Sequence, residues 1–71
     1  MAENIKINRL KVLLAEKDIS QKDFARMVSR TPNTISRICA NETQPSLKFL
    51  REMALILDVD ISDLLYRTKD K

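Results

Sequence analysis

Apolar residues recur at helical spacing along most of this sequence. Intervals of three, four and seven residues place side chains on one face of a helix, whereas a half-buried strand alternates with period two. No stretch of the sequence alternates in that way. The apolar series are Ile7, Leu10 and Leu14; Phe24 and Val28; Ile35 and Ile38; Leu47, Leu50, Ala54 and Leu57; and Ile61, Leu64 and Leu65. The pattern predicts an all-α fold, a compact bundle of five short helices.

Four of these helices are expected to begin at capping signals. A hydroxyl or carboxylate before a helix can accept a hydrogen bond from a first-turn amide, and proline is tolerated at the first helical position. The pairs are Ser20 with Asp23, Thr31 with Pro32, Pro45 with Ser46, and Asp60 with Asp63. The helices from about Gln21 to Val28 and from Pro32 to about Ala40 are joined by so few residues that their axes are expected to cross steeply.

The length of 71 residues predicts one small domain spanning residues 1–71. No apolar run approaches the roughly 18 residues of a membrane span, and the amphipathic N-terminus does not resemble a signal peptide. We therefore expect a cytoplasmic protein that does not contact membranes. Only the last few residues, "TKDK" at 68–71, are expected to be frayed.

Three residue counts exclude most catalytic sites. The chain has no glycine and no histidine, and its one cysteine, Cys39, cannot form an internal disulfide. Glycine-rich phosphate loops, zinc sites and histidine acid-base chemistry are therefore excluded. We expect no enzyme activity, no metal and no cofactor.

The charge is distributed unevenly along the chain. Residues 1–51 hold ten Lys or Arg against five acids, whereas residues 52–71 hold three against five. A basic front and an acidic tail suit a domain that presents one face to a polyanion. The alternative is that a pI of 9.3 is ordinary for a small protein.

The stretch "SRTPNTISRI", Ser29 to Ile38, is rich in hydroxyl, amide and guanidinium groups. Helical spacing turns Ile35 and Ile38 inward and leaves Asn33, Ser36 and Arg37 on the opposite side. Such side chains can bond base edges or phosphates in DNA. Arg37 can instead be a solvated arginine lying along its helix.

The region from Ser20 to Leu65, with "SQKDFARMVSRTPNTISRI" and "QPSLKFLREMALILDVDISDLL", resembles the Cro and phage-repressor type, or XRE-like, helix-turn-helix family. The resemblance implies a lambda-repressor-like fold with its helix-turn-helix at about residues 20–40. It also implies double-stranded DNA as the partner, with the second crossed helix in the major groove. The implied base contacts are Pro32, Asn33 and Arg37, and the implied phosphate contacts are Gln21, Thr31, Thr34, Ser36, Asn41 and Lys48.

The chain departs from this family at several positions. Asp18, Ser29, Asn41 and Asp58 stand where the family often has glycine, so these turns are expected to need positive φ, for which Ser29 is the least suited. A buried arginine–glutamate pair of the family is replaced by Leu14 and Cys39. Cys39 is therefore expected to be a small buried hydrophobe, with a redox sensor as the alternative.

The apolar face of the fourth helix is wider than a surface helix needs. A second copy that covers Phe49, Leu55, Ile56 or Tyr66 would explain the excess, as would a generous core. We expect a homodimeric transcription regulator that binds a palindromic operator and has no small-molecule effector. The alternative is an antitoxin-like protein-interaction module on the same fold.

Overall fold

The computed structural model describes residues 6–67, so the prediction of frayed ends at 68–71 lies outside the described residues. Four α-helices follow one another: α1 Leu10–Glu16, α2 Gln21–Met27, α3 Pro32–Cys39 and α4 Leu47–Leu57. The expected fifth helix is instead a single 3₁₀ turn, Ile61–Leu64. It stops there because Leu65 is extended and forms an isolated antiparallel bridge with Asn8. The described part of the chain contains no strand longer than this bridge.

The predicted helix caps are confirmed by hydrogen bonds. The hydroxyls of Ser20, Thr31 and Ser46 accept from the backbone N–H three residues later, at 3.0, 3.2 and 3.1 Å. The backbone N–H of Asp60 donates to Oδ2 of Asp63 at 3.1 Å. Each of these bonds satisfies an amide that a helix end would otherwise leave without a partner. The caps therefore set where α2, α3, α4 and the 3₁₀ turn begin.

Each α-helix is followed, within two residues, by a non-glycine residue in the left-handed conformation. The φ angles are 58° at Asp18, 58° at Ser29, 60° at Asn41 and 59° at Asp58, as the turn positions predict. In every case the next residue donates its N–H back to a carbonyl five positions earlier, at 2.8 to 2.9 Å. This is the Schellman arrangement, which is usually made with glycine because a Cβ atom is crowded there.

The core lies where the four helices meet. Its most deeply buried large side chains are Leu10, Phe24, Ile35, Met53 and Leu64. Leu14 and Cys39 are buried in the same cluster, as expected from the loss of the family's ion pair. Desolvation by burial raises the pKa of the Cys39 thiol, and the nearby Lys11 charge opposes this shift.

Three residues predicted to face the core are exposed. Leu47 is 83% exposed, Ile7 is 46% exposed and Ile61, the first residue of the 3₁₀ turn, is 39% exposed. The buried side of α4 is centred on Met53 and Leu57, so Leu47, in the first turn, falls at the edge of this face. Ile7 precedes α1 and is not part of its apolar stripe.

A network of three amide side chains holds the segment before α1. The side-chain nitrogen of Asn8, a buried residue, contacts Ile38 O, Asn41 Oδ1 and Gln44 Oε1 at 2.9 to 3.1 Å. Gln44 Nε2 donates to Asn41 Oδ1 at 3.1 Å, and Asn8 Oδ1 accepts from the N–H of Leu10. The network thus joins the start of α1 to the end of α3.

The other edge of the same segment pairs with residues 64–66. The N–H of Arg9 donates to Leu64 O at 2.7 Å, and the N–H of Tyr66 donates to Ile7 O at 2.9 Å. The Arg9 guanidinium also lies 5.9 Å from the centre of the Tyr66 ring. Residues 7–9 therefore lie between the last described segment and the loop that follows α3.

Candidate nucleic-acid interface

The third helix has one buried side and one open side. Ile35 and Ile38 are 0% and 3% exposed, and they anchor α3 in the core. Residues 28–31 alone connect α2 to α3, and the cap at Thr31 fixes the entry of the chain into α3. The open side is therefore held on a short helix with little freedom to move.

The three predicted base-contacting residues lie on this open side. Pro32, Asn33 and Arg37 are all exposed, and Ser36 is exposed beside them. Side chains of this kind on an accessible helix can reach the base edges of a major groove, which is wide enough to admit an α-helix. The prediction that these groups project away from the subunit is confirmed.

The predicted phosphate-contacting residues border the same helix. Thr31 and Thr34 lie at the start of α3, where their hydroxyls are 3.0 Å apart. Gln21 is the first residue of α2 and is half-buried, and Lys48 is exposed in the first turn of α4. Hydroxyls, amides and helix N-termini are frequent partners of DNA phosphates.

The sequence matches the model of the Cro/C1-type HTH DNA-binding domain over residues 9–70. The chain belongs to the Cro/C1-type family. A similar solved structure is a candidate DNA-binding protein from Bacteroides fragilis, which is 42% identical. The alignment covers 87% of this chain and 100% of that chain, with a TM-score of 0.82. No curated protein matches the sequence.

One predicted phosphate contact of this Cro/C1-type domain needs correction. The Oδ1 atom of Asn41 accepts from the backbone N–H groups of Ile7 and Asn8 at 2.9 and 3.0 Å, and its Nδ2 donates to Asn8 O at 3.2 Å. The Asn41 side chain is therefore engaged in the fold, which argues against its assignment to phosphate binding. Sequence spacing could not show this, because the partners lie more than thirty positions away.

The sequence also did not reveal the partner of Arg37. Its Nε atom lies 3.5 Å from Glu42 Oε1, with the two side chains 53% and 52% exposed. The Schellman turn at Asn41, which brings the following residue back over the last turn of α3, was the available signal.

The candidate dimer surface of the Cro/C1-type domain is smaller than predicted. Leu55, Ile56 and Tyr66 are exposed, at 64%, 41% and 41%. Phe49, in contrast, is only 7% exposed, because its ring packs in the core and is covered by the Arg30 guanidinium at 4.3 Å. Phe49 is therefore not available to contact a second copy of the chain.

An open groove of about 380 Å³ borders this surface. It is lined by Met27, Val28, Ser29, Arg30, Glu52, Leu55 and Ile56.

Within residues 6–67, no helix is both long and apolar enough to cross a membrane.

Proposed function

We propose that this chain is a single-domain, sequence-specific DNA-binding transcription regulator that places α3 in the major groove. The observation that carries the proposal is the arrangement of α3, whose Ile35 and Ile38 are buried while Asn33, Ser36 and Arg37 are exposed. Membership of a DNA-binding family over residues 9–70 supports DNA as the partner. The structural likeness to the Bacteroides fragilis protein supports the same fold and partner class.

In this proposal the side chains of α3 divide into two roles. Pro32, Asn33 and Arg37 contact bases, and Arg37 reads a guanine through O6 and N7, a pairing that contributes about 1 to 3 kcal/mol of discrimination. Gln21, Thr31, Thr34, Ser36 and Lys48 contact phosphates. Phosphate contacts set the orientation on the duplex, whereas base contacts carry the sequence information.

We further propose that the protein acts as a homodimer on a palindromic operator in the cytoplasm. The exposed side chains of Leu55, Ile56 and Tyr66 support an apolar contact between two copies. A twofold dimer reads two half-sites about one helical turn apart. Neither a cofactor nor a small-molecule effector is part of this function, nor is catalysis.

The test is to select bound sequences from a random pool of duplex DNA with the purified protein. We expect a palindromic motif, and Arg37→Ala should lose the base preference at one position of each half-site. Arg37→Lys keeps the charge but not the bidentate geometry, so it should lose the same preference while retaining more affinity. Gln21→Ala should weaken binding to all sequences about equally.

Two results would contradict the proposal. An Arg37→Ala protein that selects the wild-type motif would show that Arg37 does not read a base. Affinity that does not fall as salt rises would show that phosphates are not contacted, because each neutralised phosphate releases counterions. The second result would favour a protein-interaction module.

A further inference from the structure

The ion pair between Arg37 and Glu42 occupies one edge of the guanidinium group. The distance of 3.5 Å joins Glu42 Oε1 to the Nε atom of Arg37. The terminal nitrogens of Arg37 carry four further N–H donors beyond the one on Nε. Those terminal nitrogens can therefore still present two parallel donors to a guanine while the carboxylate remains on the Nε edge.

The backbone holds Glu42 close to Arg37. Asn41 adopts φ 60°, and the N–H of Glu42 then donates to the carbonyl of Arg37 itself at 2.9 Å. The side chain of Asn41 is fixed in turn by its bonds to Ile7 and Asn8. The carboxylate is thus attached to a rigid turn one residue beyond the anchored Asn41.

Stability does not account for an acid at this position. A half-exposed ion pair contributes only about 0 to 1 kcal/mol. The end of α3 carries a partial negative charge, which disfavours a carboxylate nearby. In a DNA complex the same carboxylate would lie next to the residue that enters the groove, where it opposes binding to any phosphate.

We propose that Glu42 is a specificity-determining residue that restrains Arg37 and thereby suppresses sequence-independent DNA binding. This inference rests on the proposed function. On DNA without a suitably placed guanine, a phosphate that bonds Arg37 would lie beside the Glu42 carboxylate, and the two negative charges would repel each other unless Arg37 left Glu42. On the preferred site, Arg37 bonds guanine through its terminal nitrogens and keeps the pair. The carboxylate therefore penalises the wrong sequences more than the right one.

The test compares wild type with Glu42→Gln on the selected site and on a scrambled duplex, by fluorescence anisotropy between 50 and 200 mM salt. The matched control is Glu52→Gln, which removes the same charge and breaks a similar pair, with Arg30 at 3.7 Å, on α4. Circular dichroism checks that each variant remains folded.

We expect Glu42→Gln to bind the scrambled duplex more tightly, with a salt slope steeper by about 0.9, the value for one added phosphate contact. Between 50 and 200 mM salt, the affinity of Glu42→Gln for the scrambled duplex should therefore fall about threefold more than that of the wild type. Affinity for the selected site should change less, so the ratio of specific to non-specific affinity should fall, and this fall should be about threefold larger at 50 mM than at 200 mM salt. Glu52→Gln should leave this ratio unchanged. In an Arg37→Ala background, the effect of Glu42→Gln on the ratio should disappear.

Two outcomes would overturn the inference alone. If Glu42→Gln raises the affinity for both duplexes equally, Glu42 acts only through its charge. If Glu42→Gln lowers the affinity for the selected site and does not raise it for the scrambled duplex, Glu42 contacts a base itself. A wild-type protein that selects no motif would overturn the proposed function and this inference with it.

Discussion

Replacing Ser29 and Asn41 by glycine is expected to change stability in opposite directions, although both residues have the same backbone conformation. Their φ angles are 58° and 60°. A Cβ atom in this region costs about 1 to 2 kcal/mol, and Asn tolerates it better than Ser. Glycine removes this cost, but it also gives the unfolded chain more conformational entropy, which lowers the free energy of unfolding by about 0.4 to 1 kcal/mol.

At Ser29 the cost of the Cβ atom and the entropy of the unfolded chain are the main contributions to the change in stability. The Ser29 side chain is exposed and makes no hydrogen bond to another described residue. Ser29→Gly should therefore stabilise the protein by about 0.5 to 1 kcal/mol. For a domain of this size, that raises the melting temperature by about 2 to 8 °C. Ser29→Ala is the control: it removes the hydroxyl but keeps Cβ, so it should give no gain.

At Asn41 the lost side chain outweighs the gain in backbone conformation. Glycine would remove the acceptor for the N–H groups of Ile7 and Asn8 and the donor to Asn8 O. Asn8 is only 3% exposed, so its N–H would lose its partner in a buried place. At about 1 kcal/mol for each of the three bonds to backbone groups, less the gain of up to 1, Asn41→Gly should destabilise the protein by about 2 kcal/mol.

The assay is urea denaturation followed by far-ultraviolet circular dichroism, with the slope on urea concentration compared among the variants. An unchanged slope indicates that only stability has changed. A Ser29→Gly protein less stable than wild type, or an Asn41→Gly protein as stable as Ser29→Gly, would refute the reasoning.

Two further predictions concern Cys39 and Leu55. Cys39 should react slowly with a thiol reagent in the folded protein and fast in urea, because it is buried and its pKa is raised; rapid labelling when folded would contradict the core assignment. Because the pKa of the Cys39 thiol is raised in the folded state, the folded protein holds this proton more tightly than the unfolded chain does. The neutral thiol therefore stabilises the folded state fully well below pH 9.0, and this stabilisation should be lost as the pH rises above 9.0. Cys39→Ala should abolish this pH dependence. Leu55→Asp should shift any dimer towards monomer in sedimentation, whereas Leu47→Asp, at another exposed leucine of α4, should not; equal effects would rule out the proposed surface.

The features that depend on local chemistry could be predicted from the sequence. The caps at Ser20, Thr31 and Ser46 depend on residues three positions apart, and the left-handed turns depend on the residues at each helix end. The direction of Arg37 also followed from helical spacing, since Ile35 and Ile38 fix which side of α3 is buried.

The features that depend on tertiary packing could not be predicted. The spacing of α4 indicates the width of its apolar face but not its centre, so it predicts Leu47 in the core and Phe49 at an interface, whereas Leu47 is exposed and Phe49 is buried. The structural role of Asn41 is not visible in the sequence, because its partners in the fold lie far away along the chain. The pair between Arg37 and Glu42 spans only five positions and could have been inferred from the turn between them.

The segment at residues 7–9 links the end of α3 to the last residues that the structure describes. The carbonyl of Ile38, in the last turn of α3, and the Asn41 side chain in the following turn accept hydrogen bonds from Asn8, and Asn8 is itself bridged to Leu65. A peptide limited to α2 and α3 would contain every proposed base-reading side chain yet lack these bonds. The capacity to read DNA would then depend on cooperative folding of the domain, and a fragment would not inherit it.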